Sequence, residues 1–166
     1  MDEKIRRILI VCSGNTARSP AGECLAKYYA KQYNTDLLFD SCGFFNAFSY
    51  MQPESQEYLT SKGINHSDFR PKTITKNLIK KNDLIITMEQ YHVEQIKSNF
   101  YNIEDVNSKT FTLKEFNGGK GDIIDPYYTN KNTYMRVMKE LDENIEKLVK
   151  KVIKINKSES STKLTK

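Results

Sequence analysis

The chain is poor in cysteine and histidine, has no long apolar run, and contains no tryptophan. Its three cysteines, at positions 12, 24 and 42, are an odd number for a disulfide framework, and their spacing fits no zinc-ligand pattern. A reducing, cytoplasmic setting is therefore expected. No stretch approaches the roughly 20 apolar residues of a membrane span. The opening "MDEKIRRILIVC" lacks the apolar core and cleavage site of a signal peptide, so a membrane role is not expected. Repeats and internal linkers are absent. The formal net charge is +5, but the basic residues are dispersed or gathered in the tail "KKVIKINKSESSTKLTK", and no nucleic-acid recognition motif accompanies them. Nucleic acid is not an expected partner. A basic surface can equally attract phosphorylated protein.

What is present is a globular chain. Its 166 residues, 38% apolar and 28% charged, suit one domain with a proper core. Ile8 to Val11 read as a buried parallel strand. Residues 18–33 read as a helix, 37–41 as a strand, and "ESQEYLTSK" as a helix opened by Pro53 and stopped by Gly63. Thr75 is placed to cap a short helix over "KNLIKK". Residues 83–88 read as a strand, 89–100 as a helix and 110–113 as a fourth strand. A loop from Asn117 to Thr129 precedes the longest helix, 132–152, with Met135, Met138, Leu141, Ile145, Leu148 and Val152 at helical spacing. The domain is expected over 1–155, with 156–166 a disordered basic tail. Strand–helix alternation implies an α/β fold: a single three-layer domain, a four-stranded parallel sheet with helices on both faces. In such sheets the active crevice lies beyond the carboxyl ends of the strands.

Cys12 ends the first strand, and the next helix begins at Arg18. Between them lie Ser13, Gly14, Asn15, Thr16 and Ala17. A loop of small residues can turn its backbone N–H groups inward as an anion nest, a phosphate-binding loop between first strand and first helix. The helix adds its positive end, and the Arg18 guanidinium can grip two oxygens of an oxyanion. The same field stabilises a thiolate at Cys12. Ser19 can donate to that thiolate, Asn15 can bond the loop backbone, and Pro20 fits the first helical turn. A cysteine at a strand end is by itself most often a small buried apolar residue. The conjunction of strand, Cys-x5-Arg-Ser-Pro and helix favours the anion cup.

This segment, Val11-Cys12-x-Gly14-Asn15-x-x-Arg18-Ser19-Pro20-Ala21-x-Glu23, resembles the signature of the low-molecular-weight protein tyrosine phosphatases. "DPYY" at 125–128 resembles a second motif of that family, and "DSCG", "DLIITME" and "TFTLKEF" are smaller matches. The resemblance implies hydrolysis of phosphotyrosine through a phosphocysteine. In that scheme Cys12 is nucleophile, Arg18 and the loop hold the phosphoryl oxygens, and Asp125 is the general acid. Pro126 would stiffen the loop, and Ser41 would support Asn15. Tyr127, Tyr128 and Phe45 would wall the mouth, where Phe48 or Tyr50 could also stand in for an absent tryptophan. No metal or cofactor is implied. Phosphorylated proteins are the implied partners, with inorganic phosphate as product or inhibitor, acting on a monomer or weak homodimer.

Two departures matter. Ala17 stands where many members carry a second cysteine, so their protective disulfide is not expected. Cys24 is expected in the core and Cys42 on the far side of its strand. Thr16 and Phe45 resemble a branch that hydrolyses phosphoarginine, which leaves that substrate as the alternative. Arsenate reductases of this fold need two further cysteines in the segment that corresponds to 80–100, which has none. A non-catalytic phosphoprotein-binding module would need neither Cys12 nor Asp125. His66 and His92 read as solvated surface residues.

Overall fold

The computed structural model describes residues 4–164. Its first strand, β1 (Arg7–Cys12), is buried from Ile8 onward. A strand covered on both faces cannot alternate polar and apolar residues, which is why this one reads as an unbroken run. With β2 (Leu38–Gly43), β3 (Leu84–Thr87) and β4 (Thr110–Thr112) it makes a parallel sheet in the order β2-β1-β3-β4. The register sets Cys12 beside Gly43 and Val11 beside Thr87, so three strands finish along one edge.

The helices are α1 (Arg18–Gln32), α2 (Pro53–Ser61), α3 (Lys76–Lys81), α4 (Gln90–Asn99), α5 (Val106–Lys109), α6 (Leu113–Phe116) and α7 (Lys131–Leu164). Ile8, Ile10, Leu84 and Ile86 pack into one layer with Leu25 of α1, Leu59 of α2 and Ile145 of α7. Leu9, Val11 and Ile85 pack into the other with Ile79 of α3, Ile96 of α4 and Val106 of α5. Each fully buried side chain of this size contributes roughly 1.5–3 kcal/mol. The expected three-layer α/β arrangement is what forms. Local signals hold too: Thr75 Oγ1 accepts the Leu78 N–H at 3.1 Å to cap α3, and Gly63 follows α2 at φ +72°. Among the described residues, no helix is long and apolar enough to cross a membrane.

Two details differ from the sequence reading. The buried stripe of α7 holds Met138, Leu141, Ile145, Leu148 and Val152, but Tyr134 and Val137 take the place given to Met135, which is only half-buried. The helix also continues to Leu164 instead of giving way to a disordered tail at residue 156. Asn156 supplies the reason: it is buried, and its side-chain amide bonds both polar backbone atoms of Ile5, at 2.9 and 2.8 Å. Residues 165 and 166 of that expected tail lie outside the described residues.

Gly43 is what lets the sheet edge carry a loop. A Cβ at this position would lie 2.7 Å from the Asn15 nitrogen and 2.8 Å from both the Gly14 carbonyl carbon and the Ser13 oxygen. The segment 13–17 therefore rests directly on the end of β2, in a space that only glycine leaves open.

Candidate active site

The segment between β1 and α1 is held from outside. Ser13 O accepts the Phe44 N–H at 2.7 Å, Thr16 O accepts the Gln52 N–H at 2.8 Å, and Ala17 O accepts the Ser55 hydroxyl at 2.9 Å. In a trans peptide the N–H lies opposite the carbonyl. Pinning these three oxygens outward turns the N–H groups of Gly14, Ala17 and Arg18 the other way. Ala17 precedes α1 without a side-chain cap, so no side chain of the cap claims the first-turn N–H groups. The result is a nest of donors at a helix N-terminus, the arrangement that binds an oxyanion.

Asn15 sits at φ +53° beneath this nest. Its side chain does not bond the loop backbone. Its Nδ2 donates to Ser19 Oγ at 2.8 Å and Ser41 Oγ at 3.0 Å, and its Oδ1 accepts the Lys72 N–H at 3.0 Å. Ser41 in turn donates to Glu23 at 2.6 Å. With Asn15 filling one acceptor site of Ser19, the Ser19 hydrogen has two acceptors in reach, Cys12 Sγ at 2.9 Å and the more distant Cys42 carbonyl oxygen at 3.4 Å.

Arg18 is 1% exposed. Its Nη1 donates to Glu89 Oε1 at 2.6 Å and to Ile123 O at 2.7 Å, while Nη2 lies 3.7 Å from Asp125 Oδ2. Asp125 is half exposed, and its Oδ1 accepts the Tyr127 N–H at 3.1 Å. Pro126 is buried beside it, and its carbonyl takes the Thr129 N–H at 3.0 Å. Cys12, Ser13, Gly14, Thr16, Ala17, Arg18, Phe45, Asp125, Tyr127 and Tyr128 line one cavity of about 290 Å³. Asn15, Ser19 and Ser41 lie behind it. Phe48 also lines it, 5.7 Å from the Tyr127 ring edge-on, and Tyr50 packs on Phe48 from outside.

The sequence matches the family described as low molecular weight phosphotyrosine protein phosphatase over residues 7–159. The chain belongs to that family. It is 34% identical over 151 residues to the protein-arginine-phosphatase of Bacillus subtilis, covering 89% of this chain and 97% of that one. It is 32% identical over 136 residues to the low molecular weight protein-tyrosine-phosphatase PtpB of Staphylococcus haemolyticus, covering 81% and 91%. Among solved structures, the YwlE arginine phosphatase from Geobacillus stearothermophilus superposes with a TM-score of 0.82 at 30% identity, over 92% of this chain and 96% of that one. A low molecular weight protein tyrosine phosphatase from T. tengcongensis does so at 0.81 and 34%, over 88% and 99%. This low-molecular-weight phosphatase is a cysteine-based protein phosphatase.

The other cysteines of the phosphatase do not line the cup. Cys42 is sealed among Leu9, Val11 and Ile85, and burial pushes its thiol well above the usual range. Burial first, then the Glu23 charge, pushes Cys24 up to about 11. Both stay protonated thiols. Among the described residues, no cluster of histidine, cysteine and carboxylate is arranged to hold a metal ion.

Several residues of the site were not legible from sequence. Glu89, Gln52 and Ser55 lie far along the chain from the residues they hold. Glu89 had one signal: it follows β3 at its carboxyl end, where an α/β sheet gathers its function. His92 corrects the surface reading given to it. It is fully buried, because its Nε2 meets Ser13 Oγ at 2.9 Å and its Nδ1 takes the Glu89 N–H at 3.2 Å. His66 is half-buried against Thr60.

Proposed function

We propose that the protein is a protein tyrosine phosphatase hydrolysing phosphotyrosine through a phosphocysteine. Cys12 thiolate attacks phosphorus in line, forming the S–P bond as the P–O bond to the aryl group breaks. The loop N–H groups and Arg18 hold the equatorial oxygens while charge redistributes among them. Asp125 gives its proton to the departing phenolate, then takes one from the water that cleaves the S–P bond and releases inorganic phosphate. The observation that carries this reading is a single cavity lined by Cys12, the buried Arg18 and Asp125, with the Ser19 hydroxyl 2.9 Å from the sulfur. The Arg18 charge and the loop dipoles supply the positive field that a metal would otherwise provide. Phe48 and Tyr127 give a planar ring aromatic surfaces to lie against.

A second reading, phosphoarginine as substrate, is favoured by Thr16 in the cup and by the 34% identity to a protein-arginine-phosphatase. Against it, Asp125 is the one carboxylate among the cavity-lining residues, whereas a guanidinium offers several N–H groups in need of acceptors. The test is kcat/KM on matched phosphotyrosine and phosphoarginine peptides. The aryl ester is expected to be preferred, and preference for the phosphoguanidine would install the second reading instead.

A further inference from the structure

His92 is a buried titratable side chain that the chemistry above does not use. It stands in the first turn of α4, and its ring is fixed on several sides. Phe44 stacks on it at 5.5 Å and 27°, and Tyr91 lies at 6.2 Å. Its two nitrogens are not equivalent. Nδ1 accepts the Glu89 backbone N–H at 3.2 Å, so the neutral ring must carry its hydrogen on Nε2. Nε2 lies 2.9 Å from Ser13 Oγ, which makes histidine the donor and serine the acceptor.

The ring is neutral in use. Burial, then the Arg18 charge, hold it down at about 4, against the opposing pull of Glu89, Asp122 and Asp125. These are the charged groups that face it, from α1, from the residue preceding α4, and from the loop before α7. Glu89 is closest, with Oε2 3.9 Å from Nε2.

Once Ser13 Oγ accepts from His92, its own hydrogen remains to be given. Among the described residues the hydroxyl has no second partner, and Ser13 lines the catalytic cavity. We propose that His92 is a positioning residue: it locks the Ser13 hydroxyl as a donor to a phosphoryl oxygen bound in the cup. The proposal rests on the phosphatase reading of that cup. Ser13 touches the anion, and His92 acts through it.

The test compares inorganic phosphate binding by calorimetry, and kcat/KM on p-nitrophenyl phosphate, for the wild type, Ser13→Ala, His92→Phe and His92→Gln. Phenylalanine keeps a ring against Phe44 but has no donor. Glutamine loses the ring but can bring an amide N–H to the place of Nε2. Both lose the acceptor for the Glu89 N–H, and glutamine loses the ring as well, so rescue by glutamine despite that loss assigns the effect to the donor. Ser13→Ala and His92→Phe are each expected to weaken phosphate binding about five- to tenfold, the worth of one hydrogen bond, with His92→Gln within about twofold of wild type. The double variant Ser13→Ala/His92→Phe should bind no more weakly than Ser13→Ala alone. Glutamine binding as poorly as phenylalanine, additive losses in the double variant, or unchanged binding in Ser13→Ala overturns the proposal. If His92→Phe fails to fold, the Ser13→Ala and His92→Gln arms decide it. A wild type that binds no phosphate overturns the functional reading itself.

Discussion

Helix α1 serves two buried polar clusters, one near each end. At its start, Cys12, Asn15, Arg18, Ser19 and Ser41 meet around the loop 13–17. Toward its other end, Tyr29 donates to Asp142 of α7, which also accepts from the Tyr58 hydroxyl and from Lys62 Nζ, each at 2.5 Å. Both clusters tie distant segments together through hydrogen bonds. The second closes on its carboxylate: Asp142 is surrounded by three donors and lies outside the cavity. The first is open. Its hydrogen bonds grip the backs of the loop peptides and one nitrogen of Arg18, and leave the fronts facing a cavity. A buried polar network turned wholly on itself fixes a fold, whereas one with donors left over on a concave face can stabilise incoming charge.

Substitutions at the two ends should have opposite signatures. Cys12→Ser is expected to lower kcat by ~10⁴-fold or more while leaving the urea midpoint unmoved. Asp142→Asn should leave kcat/KM alone and cost about 1–3 kcal/mol of stability, read as a lower urea midpoint at constant slope. If Asp142→Asn lost activity at full stability, the two clusters would not be separable.

A finer cut lies within the open cluster. Asp125→Asn should slow hydrolysis of phenyl phosphate by ~10²–10⁴-fold and that of p-nitrophenyl phosphate far less, because only the poorer leaving group needs the proton. Equal losses on both esters would remove Asp125 from the acid's role.

The remaining effects are those of pH on stability, one limb for each end. His92 titrates near 4 in the fold against about 6.5 when unfolded, so between these values the unfolded chain binds more protons and stability falls as pH drops. His92→Phe should flatten that limb in urea melts. Burial, then the bond to Asp142, raise both Tyr29 and Tyr58, which keep their protons in the fold when the unfolded chain has lost them. Stability should therefore decline as pH climbs above about 10, the ordinary tyrosine value, and Tyr58→Phe should soften the decline.

The open cluster was largely legible because its chemistry is nearly contiguous. Cys12 through Ser19 need only a strand end and a helix start, and both are written in local pattern. What holds that loop was not legible. Glu89, Gln52, Ser55 and His92 acquire their roles only when the sheet brings residues 35 to 80 positions apart into contact. His92 shows the difficulty: a lone histidine among Tyr91, Glu94 and Gln95 looks solvated until Ser13 arrives from β1. The closed cluster was invisible for the same reason, since one aspartate on a charged helix face carries no local mark. The tail was misjudged on composition, which counts lysines and serines but does not foresee an asparagine that finds a backbone partner 151 positions away.

That asparagine clasps the two ends of the fold. Ile5 enters β1 at the edge of the sheet opposite Cys12, and Asn156 holds it there from the last helix. A chain trimmed just before residue 156 would open this clasp and strand two buried backbone groups without partners. Anything tethered beyond either residue emerges behind the catalytic mouth, which makes this edge a natural place to join or recut the chain.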